Sequence, residues 1–409
     1  MKPSDLDALL ILPPYASASA ADYYPAPYFL ASYLHQRGYT AEVLDLNRRL
    51  PALLLAPRVL LSLARRYGAR KRSLERRRRL SAGDLAEYQT LVSRVGRLKA
   101  LRQSRAVLLA AMRPVARGRA REQPFAATLG GLGEDVCLGG EASRRLAHAL
   151  LTGGPLGELS GRAARADARH FLDVVRPDLD RALRNRPRLV GLSVPFGVQL
   201  LPALVVARYC RRALPTAHLC LGGPVPTALG GAAHGRLVSS GLVDSVVCNE
   251  GEAPLEQLVR ALRQGRLVAG AGLVAWEPDG LCPAGPIAGG SGNPARVPSS
   301  VTPPAAVDVA LRPGTTYLRI PGPAQAPGDD LLWMPILQSR GCYWGRCAFC
   351  SYDCQYSSPR YRHRPSEDVL DDIAHYRARG VRSFVLIVEA LPPKHALELA
   401  TGILRRRLD

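Results

Sequence analysis

No apolar run in this 409-residue chain approaches the ~20 residues that a membrane-spanning helix needs. No internal repeat is evident, so nothing points to a solenoid. A disulfide framework is also missing. The nine cysteines are odd in number and four crowd between Cys342 and Cys354. The rest are scattered at Cys137, Cys210, Cys220, Cys248 and Cys282, three of them in apolar runs that read as buried core. That usage points to a reducing compartment and a cytoplasmic location. The first residues, "MKPSDLDALLILPPYASASA", faintly imitate a signal peptide. Asp5 and Asp7 in the early region and the Pro13-Pro14 stop favour a buried first strand instead.

The charge is uneven. The formal net charge is +21, and residues 57–122 carry 19 Lys+Arg against 4 Asp+Glu. This segment reads as a basic helical insertion over about 50–185, with "ERRRRL" as its most basic point. One reading is a solvated helical face; the other is a docking surface for an acidic partner, whether peptide, RNA or membrane. Aromatics are nearly absent there (Tyr67, Tyr88 and Phe125 nearby), which argues against stacking on single-stranded nucleic acid.

Around the insertion, strand and helix patterns alternate. "LDALLILPP" (6–14) is a short apolar run cut by prolines, and "YFLASYLHQRGY" (28–39) has helical spacing with Gly38 as its C-terminal cap. "AEVLDLN" (41–47), "RLVGLSVPFG" (188–197), "AHLCLGGPVP" (217–226) and "VDSVVCNEGE" (243–252) read as further strands. Helices are expected near 200–214 and over "APLEQLVRALRQG". Alternation of this kind predicts an α/β fold with a doubly wound, Rossmann-like parallel sheet over 1–265. Residues 266–330 are rich in Gly, Pro and Ala and read as a linker, with "LVAWEPDGLCP" as a small hairpin turning at Asp279-Gly280. From 331 to 409 the pattern is strand, cysteine loop, helix, strand, helix. The helix "SEDVLDDIAHYRARG" is expected to be N-capped by Ser366, and "VRSFVLIVEAL" to be a buried strand. This βαβα order is the unit of a (β/α) barrel, whose sites lie at the carboxyl ends of strands, where the cysteine loop falls.

Cys342, Cys347 and Cys350 are spaced C-x4-C-x2-C, with Cys354 following after three more residues. Clustered structural thiols, a zinc site and an iron–sulfur cluster are the competing readings. Zinc usually takes two separated ligand pairs, whereas one looped segment can supply several thiolates to a cluster. Glycine-bearing turns at strand ends let backbone approach a ligand; Ser193, Gly222, Gly223, Thr227, Glu250 and Gly251 occupy such ends. Tight strand-to-helix packing is the alternative reading of the Gly222-Gly223 pair.

"SRGCYWGRCAFCSY" resembles the cluster loop of the radical S-adenosylmethionine (SAM) enzymes, with four residues rather than the commoner three in the first gap. The following "YRHRPSEDVLDDIAHYRARGVRSFVLIVEALPP" is similar to the family's next segment. "LLILPP", "VGLSVPFG", "LCLGGPVPTALG" and "VVCNEGEAPLEQLV" resemble the cobalamin-binding domain fused to many members. The resemblance implies a [4Fe-4S] cluster on Cys342, Cys347 and Cys350 with one iron open to SAM. It implies Phe349 beside the adenine and Glu389 at the methionine part. It implies cobalamin against Ser193, Gly222, Gly223, Thr227, Glu250 and Gly251. No D-x-H-x-x-G motif supplies a lower cobalt ligand, and His234 is expected to face solvent. The implied function is a cobalamin-dependent radical SAM enzyme, C-methylating or similarly modifying a peptide or natural product. A radical SAM barrel has about six βα units of roughly 30 residues each, and residues 331–409 supply two. The expectation is therefore a partial barrel, with the alternative of a non-catalytic remnant or binding subunit, or of a second polypeptide completing the barrel. A two-strand fragment with an uncovered apolar face is expected to be disordered or aggregation-prone after about Leu331.

Overall fold

The computed structural model describes residues 6–14, 24–46, 55–111, 140–156, 162–248, 250–265, 275–277, 280–282, 334–347, 361–378, 381 and 383–408. Its frame is a sheet of five parallel strands in the order β2-β1-β3-β4-β5. They are β1 (Ala8–Leu12), β2 (Ala41–Asp45), β3 (Leu189–Ser193), β4 (His218–Gly222) and β5 (Ser245–Val247). β1 pairs with β2 on one side and β3 on the other, with Ala8 facing both Ala41 and Leu189. Every residue of β1 is buried, as an apolar run in a sheet covered on both faces must be. The order and the α/β alternation are those of a Rossmann-like fold. β2 stops at Asp45, two residues short of the apolar pattern. The hairpin signal at 273–283 is borne out as β6 (Ala275–Glu277) and β7 (Gly280–Cys282), which extend the sheet beyond β5, with Gly280 paired to Glu277 rather than in the turn.

Helix α1 (Ala26–Gln36) starts with proline in its first turn. It closes at Gly38, whose φ of +79° is the left-handed conformation expected of a terminal glycine. The basic insertion is helical as expected: α2 (Pro57–Glu75), α3 (Ala82–Ala111), α4 (Gly140–Thr152) and α5 (Arg162–Leu183). It is more than a surface addition. Leu63, Leu74, Leu98, Leu146, Phe171 and Val175 from these helices share one core with Leu9, Ile11, Val190 and Leu219 of the sheet. Helices α6 (Leu200–Ala213) and α7 (Pro224–Ser239) complete that layer. No helix among the described residues is long and apolar enough to cross a membrane.

The opposite sheet face is covered by α1, by α8 (Glu252–Arg263) and by the C-terminal segment. That segment forms β8 (Met334–Leu337), β9 (Ser339–Arg340), β10 (Arg362–His363), α9 (Ser366–Arg377), β11 (Phe384–Ile387) and α10 (Pro393–Arg406). β8 and β11 are parallel and adjacent, so strand, helix and strand make one βαβ unit. Ile336, Leu337, Val369, Leu370 and Leu399 join one core with Leu10, Phe29 and Val247. The expected loss of order after Leu331 does not hold for these residues, because the first sheet supplies the missing apolar partner. Two local expectations also fail. Pro365, not Ser366, is the N-cap of α9; Ser366 Oγ instead donates to Glu398 Oε2 on α10 at 2.9 Å. β11 is half-exposed rather than buried, and Val385 is 46% exposed, because β8 is its one strand neighbour among the described residues. An ion pair fixes α9 to β8: fully buried Arg364 bonds Asp372 Oδ2 at 2.8 Å and donates to the Leu337 carbonyl at 2.9 Å.

The amino ends of β4 and β5 hold a second buried polar group. His218 Nε2 lies 2.9 Å from Ser245 Oγ. Asp244 Oδ2 accepts from the Leu219 amide at 2.7 Å and pairs with Arg211 at 2.6 Å. Burial pushes the His218 pKa down to about 4 from 6.5, against the opposing pull of Asp244. The unfolded chain therefore takes up a proton between those values that the folded chain refuses. The stabilisation is complete above 6.5 and is lost as pH falls toward 4, by roughly 3 kcal/mol. Urea unfolding of the protein and of His218→Gln across this range should give curves that converge toward the acid side. A constant gap between them would contradict the assignment.

Candidate functional site

The chain runs from β1 out to β2 on one side and returns to β3 on the other. The carboxyl ends of β1 and β3 therefore diverge, and a crevice opens between them. A cavity of about 740 Å³ sits there, between the sheet and the β8–β11 pair. Its floor includes Leu10, Gly191 and Ser193, its walls Phe29, Gly222, Gly223 and Val247, and its far side Leu337, Ile387 and Glu389.

The two glycines of the β4 turn are not equivalent. Gly223 has φ +110°, and a Cβ there would meet the Val194 backbone at 3.0 to 3.1 Å. A Cβ on Gly222 would touch the Val247 carbonyl at an ordinary 3.5 Å. Thr227 does not line the cavity. Its Oγ1 donates to the Gly223 carbonyl at 3.0 Å, so it braces the turn from the first turns of α7. Gly251 lies on the cavity, and its α-carbon approaches Leu30 of α1 closely enough that a Cβ would sit 3.2 Å from a leucine methyl.

Of the residues expected at the site, Ser193, Gly222, Gly223, Glu250, Gly251 and Glu389 are brought together around this one cavity. Glu250 has a second engagement: it is ion-paired with Arg340 at 3.0 Å and with Arg362. Its carboxyl stays below the usual carboxylate range; burial opposes this, and the two arginines outweigh it. His234 does not face solvent as expected. It is buried, with Nε2 2.7 Å from the Pro226 carbonyl across the kink at Gly230 in α7.

The cysteine loop leaves β9 through Gly341, a cavity residue with φ +75°, and turns again at Gly345 with φ +54°. Cys342 is half-buried and Cys347 exposed, and both are free thiols. Phe349, Cys350 and Cys354 lie outside the described residues. Among the described residues no three His, Cys, Asp or Glu side chains converge as a metal-holding group. The donors present nevertheless suit a thiolate-bound cluster: two accessible thiols sit on one glycine-jointed loop that leaves the cavity at Gly341. By contrast, burial pushes the thiols of Cys210 and Cys220 up to about 12, which makes them inert core residues. The cavity lining is mostly apolar, and the glycine required at 223 is fixed by its close approach to the Val194 backbone, as tight packing at the strand end demands.

Sequence reasoning missed several residues here. Arg340 and Arg362 flank the loop and engage Glu250 and Glu252. Tyr343, Tyr361, His363 and His395 form a chain of ring contacts beside it, edge-on at Tyr343–Tyr361, stacked at Tyr361–His363 and tilted at His363–His395, whose centroids are 3.9 Å apart. Burial, and then His363, lower the His395 pKa. The strings "SRGC" and "YRHR" carried the signal, but nothing local tells an arginine which carboxylate it will meet.

Fold and crevice together define a Rossmann-like α/β protein with a ligand-sized cavity at the carboxyl edge of its sheet. Comparison with protein-family models, with curated proteins and with solved structures finds no match for this chain.

The cavity wall makes a direct expectation. Gly223→Ala should destabilise by about 1–3 kcal/mol because the backbone cannot keep φ +110° with a side chain. Gly222→Ala should cost less than about 1 kcal/mol. Thermal unfolding of the two variants checks this, and equal effects would remove Gly223 from its special role.

Proposed function

We propose that this chain is a cobalamin-dependent radical SAM protein that C-methylates, or similarly modifies, a peptide or natural-product substrate. The observation that carries the reading is one of placement. A loop with C-x4-C-x2-C spacing starts at the rim of the same cavity that the glycine turns of a Rossmann-like sheet line. When bound, a three-thiolate [4Fe-4S] cluster would supply the electron for SAM cleavage, and cobalamin the methyl group.

The chain's own residues would act as follows. Cys342, Cys347 and Cys350 would hold the cluster, leaving one coordination position for SAM. Phe349 would flank the adenine, and Glu389, two residues beyond β11, would accept from the SAM amino group. Ser193, Gly222, Gly223 and Gly251 would present backbone to the corrin, and Thr227 would hold Gly223 in place. Leu10, Phe29 and Val247 would keep water from a reactive centre. His234 is already bonded to Pro226, which leaves cobalamin without a lower ligand from this residue. The chemistry needs a reducing compartment, so the reading carries a cytoplasmic location.

A second reading, a binding subunit without catalysis, is favoured by one feature. Among the described residues β8 and β11 form a sheet of two strands, where a radical SAM barrel has about six. A second polypeptide would then complete the barrel. Anaerobic reconstitution with iron and sulfide, followed by electron paramagnetic resonance, separates the readings. The expected result is a four-iron signal that SAM perturbs, lost in Cys342→Ala, Cys347→Ala and Cys350→Ala and kept in Cys354→Ala. A signal indifferent to SAM in the wild type would overturn the radical mechanism.

The basic helices offer a partner surface within the same reading. Arg70 and Arg77 are neutralised by Glu87 and Asp84. Arg65 and Arg72 of α2 and Arg76 just past its end share one face, and none of the three forms a salt bridge among the described residues. Planar guanidinium groups suit carboxylates in pairs, so we assign this face to an acidic peptide. Fluorescence anisotropy with an oligoglutamate should show binding that weakens with salt. It should fall about tenfold in Arg65→Ala/Arg72→Ala/Arg76→Ala. Equal binding by that variant would reject the surface.

A further inference from the structure

The segment that carries the cysteines has a closed neck. β9 and β10 pair antiparallel, with Arg340 opposite Arg362 and Ser339 opposite His363. Both neck arginines turn toward the start of α8. Arg340 Nη1 lies 3.0 Å from Glu250 Oε2 and 3.2 Å from Glu252 Oε2, and its Nη2 bonds Glu252 Oε1. Arg362 grips Glu250 in a fork, with Nη1 3.1 Å from Oε2 and Nη2 on Oε1. All four side chains are 17% exposed or less, and the two cations balance the two anions. Arg340, Glu250 and Glu252 also line the cavity, and Cys342 follows Arg340 after Gly341 alone.

A buried charge lattice of this kind is sensitive to its completeness. Four charges out of water are tolerable while each has its partners; removing one strands another in a low-dielectric site. Loss of any one of the four charges would therefore weaken the hold on the neck as a whole. The cavity wall forms one half of it and the loop neck the other.

We propose that Glu250 is a positioning residue rather than a ligand contact: with Glu252 it clamps Arg340 and Arg362, so that filling the cavity fixes the neck of the cysteine loop and, first of its thiols, Cys342. The inference rests on the proposed function only for the identity of the ligand. The clamp couples two sites that are about 90 residues apart in sequence. A ligand filling the cavity shields the lattice from water, stabilises its closed form and holds the loop ready for its metal. Without a ligand the lattice alone holds the neck.

The test uses the full chain without metal. N-ethylmaleimide labelling of Cys342 is followed by peptide mass spectrometry, with exposed Cys347 as the internal reference, and hydroxocobalamin is the probe. In the ligand-free wild type Cys342 should label more slowly than Cys347. In Glu250→Gln the Cys342 rate should rise about tenfold, with Cys347 unchanged. In the wild type the probe should slow Cys342 further; in Glu250→Gln it should still bind, by its absorbance on gel filtration, yet give no protection. Glu250→Asp should restore part of both effects. Circular dichroism checks folding, and should Glu250→Gln not fold, Arg362→Gln opens the same neck while leaving the Arg340–Glu252 pair intact, with the same expectation. An unchanged Cys342 rate, or full probe protection in a folded variant, overturns the clamp. A wild type that binds no hydroxocobalamin would instead count against the cobalamin reading, while the ligand-free rates still decide the clamp.

Discussion

One face of the parallel sheet, presented by Leu10, Leu189, Cys220 and Val247, has to be buried, and the rest of the structure follows from how that is done. Helices α1 and α8 flank the face without closing it over the carboxyl ends. The C-terminal βαβα segment packs its own apolar residues, Ile336, Leu370 and Ile373 among them, into the same core. It thereby gains the partner that two strands and two helices could not provide for themselves. Where the two layers splay apart the cavity remains. Cavity, loop and shared core are consequences of a single packing requirement.

The cavity is shaped by backbone more than by side chains. Gly223 can approach Val194 so closely because it has no Cβ, and its left-handed φ aims the chain from β4 into α7. Val194 in turn donates its amide to Gly222 at 2.8 Å, so the ends of β3 and β4 are locked together under the ligand space. Gly222 has no such constraint. Its neighbourhood would admit a methyl group, and its value at the site is the room it leaves inside the cavity.

Much of the frame was legible because it is written locally. Five short apolar runs gave five parallel strands, Gly38 ended α1, and the hairpin signal fell on two paired strands, although Gly280, expected in the turn, opens β7 opposite Glu277. Cys210, Cys220 and Cys248 were core residues as their surroundings implied. What was not legible depends on distant partners. The insertion looked like a basic appendage, yet Phe171 and Val175 of α5 cover the sheet, because a crossover from β2 to β3 needs a helix on that face. Ser366 has the composition of a cap, but Pro365 already occupies the cap position. His234 and Glu250 have side chains whose roles are set by Pro226 in one case and by residues near 340 and 362 in the other.

The way the loop is anchored follows from its composition. "SRGCYWGRC" and "YRHR" contain few aliphatic residues that could join the core, so hydrophobic burial cannot fix the neck. Charge does it instead, in two stages. Arg364 is taken completely into the interior, where Asp372 and the Leu337 carbonyl hold it, and this ties β10 to β8 and α9. Arg340 and Arg362 then reach out of that unit to Glu250 and Glu252 on the neighbouring layer. The first pair lies inside one unit and has no reason to open. The second spans two layers at the edge of a cavity, where a change in occupancy alters its solvation directly. A chain using buried charge for fixing alone would need only the first. The second set, placed between the cavity and the thiols, is what makes the position of the loop depend on what the cavity holds.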